Sequence, residues 1–144
     1  MAFFLGLTLA AVGWLDVLLL FYPSAWASID WEFGTISGVF EGLPLGTIGL
    51  ATMTVAAVGR GWVGTMRLMA AVLLLVAVGL TLLAVVFALD APVAWRAVNP
   101  AMQQTIAKAM AKTMISAFVY VVAYVTLALW TARRVRATVK GAAT

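Results

Sequence analysis

Residues 68–89 read LMAAVLLLVAVGLTLLAVVFAL, twenty-two positions with no charged side chain and a single threonine as the only polar group. As a helix this run is about 33 Å long at about 1.5 Å per residue, enough to cross a hydrocarbon layer of about 30 Å. The first question is whether the rest of the chain agrees with lipid as the solvent. Of its 144 residues 65% are hydrophobic and 10% charged, with a mean hydropathy of +1.11. Soluble domains average about 45–50% apolar and about 25% charged. A chain this short has no single core in which to hide so much apolar surface from water.

Three further runs have spanning length or nearly so: residues 2–22, 43–59 and 113–132. Backbone groups in lipid must be satisfied within the segment, so each is expected to be a helix. The expected fold is an all-α integral membrane protein in one domain, four transmembrane helices in an up-down bundle. An outer segment covers 23–42 and a basic tail 133–144. A cleaved leader is the rival reading of the first run, because Ala25-Trp26-Ala27 offers a small-x-small site. The run lacks a basic start and exceeds the usual apolar length of about 7–15 residues, so a retained span is expected.

Charge placement gives an orientation. Arg60 and Arg67 flank one link, and Arg133, Arg134, Arg136 and Lys140 fill the tail. Basic residues concentrate on the cytoplasmic side, which puts both termini inside. Asp16, Asp30, Glu32, Glu41 and Asp90 fall in or near the opposite side, while Arg96, Lys108 and Lys112 run against the trend. The tail cations are candidate contacts for anionic lipid, or topology anchors that need no ligand. Trp26, Trp31, Trp62, Trp95 and Trp130 lie near run ends, as an interfacial belt places them.

Ahead of the second span lies GTISGVFEGLPLGTIG, residues 34–49, with Gly34, Gly38, Gly42 and Gly46 at every fourth position. That spacing makes one small face, and in lipid small faces let helix backbones approach. Gly6, Ala10 and Gly13 form a matching face on the first span. Packing between these two faces is the expected use, with a dimerisation face or pore-lining loop as the functional rival. Pro44 lacks an N–H, so a short interfacial or re-entrant helix at about 30–41 is expected to end there, before the span proper. At the other end of the chain Asn99-Pro100 is a helix start, with Asn as N-cap and Pro in the first position.

Asp16 is the one ionisable residue well inside an apolar run, which makes it a functional candidate. Its expected partner is Lys112, on the assumption that the first and last helices are neighbours. A proton or ion site and exposure through local thinning of the bilayer are the other readings. The last helix also carries Gln104, Lys108, Lys112, Ser116, Tyr120 and Tyr124 at intervals of four. This inclined ridge is either a polar path from the outer face or two snorkelling lysines above space-filling tyrosines. Asp30, Glu32 and Glu41 offer oxygens for a hard cation, but their spacing fits no binding loop and a solvated acidic face explains them.

The chain has no histidine and no cysteine. That removes thiolate chemistry, the commonest metal ligand and the commonest general base. No phosphate-cradling or nucleophile-elbow motif occurs, and Ser24, Ser28, Ser37 and Ser116 have only lysine as an available activator. No enzyme, cofactor or metal site is expected, and the pI of about 10.0 points to lipid head groups rather than nucleic acid. The expected role is a non-enzymatic membrane component that packs against itself or within a larger complex. The alternative is a small channel or transporter whose outer-facing cavity uses Asp16 and the Lys108/Lys112/Ser116/Tyr120 ridge.

Overall fold

The computed structural model describes residues 1–22, 24, 28–97 and 99–141, with Ile29 and Asp30 described by their backbone alone. The small-x-small site at 25–27 and Trp26 lie outside the described residues. Four long α-helices make up the chain: α1 (Ala2–Leu19), α2 (Ile29–Gly59), α3 (Val63–Ala97) and α4 (Gln103–Gly141). All four are long and apolar enough to cross a membrane. A 3-10 turn, Pro100–Met102, leads into α4, and the Asn99 side chain accepts from Ala101 N–H at 3.2 Å.

The chain reverses between α2 and α3 in three residues. Gly61 has φ +66°, its N–H reaches Val58 O at 3.1 Å, and Trp62 N–H reaches Ala57 O at 3.1 Å. This pair of bonds is the Schellman closure, and its left-handed position is one that glycine adopts without steric cost.

Contacts along the helices fix their directions. α1 runs against α2, with Gly13 at Gly46, Val17 at Gly42 and Leu20 at Gly38. α3 also runs against α2, with the Phe33 and Phe87 rings stacked at 4.8 Å. α4 runs with α2, with Ser37 beside Thr113 and Thr47 beside Tyr124. Two ends result. A basic end carries the chain start, Arg60, Arg67 and the α4 tail, and an acidic end carries Glu32, Asp90 and Arg96.

α2 is the hub. It touches α1, α3 and α4, α3 and α4 touch each other, and among the described residues α1 meets neither α3 nor α4 at the backbone. The core follows this arrangement, with Val39, Phe40, Leu43, Leu73, Phe87 and Tyr124 each at most 2% exposed. The expected adjacency of the first and fourth helices is therefore corrected. α1 is docked on one side of α2 and α4 on another.

The expected helix break at Pro44 is also corrected, because α2 continues through it for 31 residues. Proline inside a helix costs about 3 kcal/mol. Before it, Ile36, Val39 and Phe40 are buried against the other helices. Packing of these side chains against the neighbouring helices holds the segment before the proline in line with the segment after it, and the proline's own ring faces outward.

At about 1.5 Å per residue the 31, 35 and 39 residues of α2, α3 and α4 give about 46, 52 and 58 Å, against about 27 Å for the 18 of α1. Three helices thus outrun the fourth at the acidic end. The apolar run 68–89 forms the middle of α3, and Asp90 stands beyond it.

A polar seam and a glycine seam as the candidate functional site

The α2–α4 boundary holds a line of side-chain pairs. Nearest the acidic end, the hydroxyls of Ser37 and Thr113 lie 3.0 Å apart, with Thr113 only 4% exposed. One turn further along α2, Lys112 Nζ donates to Glu41 Oε1 at 2.6 Å. Deeper still, Thr47 and Tyr124 share a 2.8 Å hydrogen bond, with Tyr124 1% exposed. Beyond that pair Thr54 and Thr131 are fully buried and donate to their own helices, at Leu50 O and Leu127 O. Such back-bonding satisfies a threonine without a partner helix.

Lys112 therefore pairs with Glu41 rather than with Asp16. The physical reason is the hub arrangement: α4 lies on α2, while Asp16 is exposed on α1, which among the described residues α4 does not meet at the backbone. The Lys112 and Glu41 side chains are 68% and 59% exposed, so in water this pair is worth at most about 1 kcal/mol.

The fourth-helix ridge is divided by the same geometry. Tyr124 points into the seam, Ser116 and Tyr120 are half-buried, and Gln104 and Lys108 are exposed. A drift of about 40° per four-residue step turns one end of the ridge away from α2. A recess of about 400 Å³ opens beside the Thr47–Tyr124 pair, walled by Ala51, Ala123, Leu127 and Trp130. Its walls are largely apolar.

The α1–α2 boundary is made of small residues. A Cβ on Gly13 would run into the Gly46 amide and Leu45 carbonyl carbon, and one on Gly49 into the Ala10 backbone. A Cβ on Gly6 would lie 2.8 Å from Gly49 O. On α2 the glycines differ from one another. At Gly46 a Cβ would press the Trp14 ring at 3.1 Å, at Gly42 it would meet Val17 at an ordinary 3.5 Å, at Gly38 Leu20 at 3.4 Å, and at Gly34 nothing. The tight contact is Gly6–Gly13 against Gly46–Gly49, and Gly34, Gly38 and Gly42, the first three of the four-residue ladder, lie outside it.

The acidic residues do not form one group. Glu32 and Glu41 are nine positions apart on α2, about 13 Å along its axis. Glu41 is paired with Lys112, and the Asp30 side chain is outside the described residues. Glu32 instead neighbours Asp90 of α3, beyond the apolar run. The Oδ2 atom of Asp90 is enclosed and has no hydrogen-bond partner among the described residues.

At the basic end, two arginines cover tryptophan faces. The Arg60 guanidinium is 5.0 Å from the Trp62 ring and that of Arg134 5.6 Å from Trp130. Arg133, Arg136 and Lys140 are exposed on the same continuous helix.

Ser37, Thr47 and Thr113 are the seam residues that the sequence did not single out as sites. The available signal was weak, since serine and threonine in an apolar helix bond to their own backbone as readily as across a boundary. These features belong to an all-helical protein with four helices long and apolar enough to cross a membrane. Comparison with protein-family models, curated proteins and solved structures gave no match.

Proposed function

We propose that this chain is a non-enzymatic, four-span integral membrane component that assembles with itself or within a larger membrane complex, with both termini cytoplasmic. The observation that carries the reading is the use made of its polar side chains. Ser37 and Thr113, Glu41 and Lys112, and Thr47 and Tyr124 meet in pairs between α2 and α4, and Thr54 and Thr131 bond to their own helices, a use that holds two helices in register. Meanwhile the outward faces are strongly apolar, with Leu75 at 75%, Leu89 at 70% and Phe118 at 71% exposed. Surfaces of that size suit lipid or another apolar helix. The orientation rests on the six cations at the basic end, and composition supports a role without catalysis.

Purification from native membranes into lipid discs, followed by mass measurement, tests the reading. The expected result is a stoichiometric assembly heavier than one 15.2 kDa chain. A lone chain in native lipid contradicts assembly, and ion or solute flux through that lone chain would put the channel alternative in its place.

A further inference from the structure

α1 presents three different flanks. Gly6, Ala10, Gly13 and Val17 are buried on α2, and Trp14 and Leu18 border a groove toward α3. On the remaining flank Leu5, Leu9, Val12, Asp16 and Leu19 follow one another at intervals of four, three, four and three residues. That is the seam spacing by which two helices pack knobs into holes. Leu5, Val12 and Leu19 are 60%, 47% and 59% exposed, so among the described residues no helix covers the seam. Ala2 continues it toward the basic end and borders a recess with Ala51 and Val55 of α2. Ala51 also lines the recess beside α4. A valley thus runs between α1 and α4, with α2 as its floor.

Asp16 is the polar member of this seam. It is exposed, and among the described residues it has neither a hydrogen bond nor an ion pair. It stands six residues short of Tyr22, about 9 Å inside the apolar run. Its single methylene is too short to carry the carboxyl to the interface as a lysine stem would. An acidic group in hydrocarbon is costly without a partner. We propose that the valley between α1 and α4 receives a transmembrane helix of another protein, whose lysine or arginine side chain meets Asp16. Charge complementarity selects this occupant over lipid, because an acyl chain offers the carboxyl nothing. A second copy of this chain does not supply the cation. Copies in one membrane share an orientation, so their cations stand at the heights seen here. Asp16 lies level with the stretch between Gly42 and Gly46, since Val17 meets Gly42 and Gly13 meets Gly46. Near that height stands the Lys112 ammonium, which Glu41 already holds at 2.6 Å. A single polar residue in an apolar seam fixes register and partner. The site rests on the assembly proposed above and names the kind of partner within it.

The test uses the full chain in phosphatidylcholine vesicles, with synthetic transmembrane peptides as probes. Each peptide is a dansyl-labelled leucine–alanine helix of about 20 residues. One position about 9 Å from the end of its apolar run carries lysine in the probe and leucine or glutamate in the controls. Energy transfer from the tryptophans of the chain reports binding. Saturable binding of one lysine peptide per chain is expected, with both controls at least tenfold weaker. Asp16→Leu changes an exposed position, so it should fold normally and bring the lysine peptide down to the level of the leucine peptide. Asp16→Lys should reverse the preference in favour of the glutamate peptide. Equal binding of the lysine and leucine peptides, or a preference for lysine that survives Asp16→Leu, overturns the proposal. A second arm compares wild type and Asp16→Leu by mass in native lipid discs, where loss of a foreign component from the variant is expected. An assembly unchanged by Asp16→Leu, or one that loses a copy of this chain instead, overturns the docking site and leaves assembly standing. A lone wild-type chain contradicts assembly itself, and the occupant with it.

Discussion

At Gly13 and Gly49 a single methyl group decides whether α1 can dock. In lipid, leucine gains nothing by leaving one apolar neighbour for another, so α1 must be held by close backbone packing. Both positions face backbone atoms, which cannot swing aside as a side chain end would. Gly13→Ala and Gly49→Ala should each cost about 1–3 kcal/mol, the usual penalty of overpacking. Gly38→Ala meets only Leu20 at ordinary distance and gains about 1 kcal/mol of helix propensity, so it should be neutral or stabilising. Unfolding in detergent, followed by helicity, checks the order. Equal losses at the three positions would show that α1 is not seated on α2 through this contact. The four-residue spacing announced a small face but could not say which glycines meet backbone, because that depends on the height at which α1 docks.

Among the elements, α2 is the one whose behaviour the sequence concealed. Pro44 is a strong local signal for a break, and the burial that overrides it comes from Ile36, Val39 and Phe40 meeting residues distant in sequence. The start of α4 was legible because its cap is local, with Asn99 bonded to the amide two residues on. Periodicity found Tyr124 and Lys112 but assigned them to one ridge, since a helix drawn alone does not reveal which neighbour it faces. The Thr47–Tyr124 bond is the deepest contact that locks α4 to α2. Tyr124→Phe should cost about 0.5–1.5 kcal/mol, within the range for a buried hydrogen bond and at the lower end for one between membrane helices. Thr47→Val in the same background should add little, because the two hydroxyls share one bond. Fully additive losses in that double-mutant cycle would mean that the hydroxyls do not meet.

For the whole molecule, the class of fold was plain from composition and run lengths, and the arrangement of the helices was not. Short links place consecutive helices side by side, yet among the described residues α1 meets only α2 at the backbone while α4 crosses to α2 as well as α3. Charge, by contrast, was informative at this scale. Arg60, Arg67, Arg133, Arg134, Arg136 and Lys140 collect at one end of the structure, and the pairing of Lys112 with Glu41 accounts for one of the cations that run against the trend. The central claim is that the bundle spans the bilayer with this basic end in the cytoplasm. The chain has no native cysteine, so single-cysteine labelling of intact cells with a membrane-impermeant maleimide tests it most directly. Ser28→Cys and Ala97→Cys, beyond the acidic end, should react, while Gly64→Cys and Thr138→Cys should react only after the cells are opened. The reverse pattern would contradict the orientation, and labelling of all four in intact cells would contradict the spanning bundle itself.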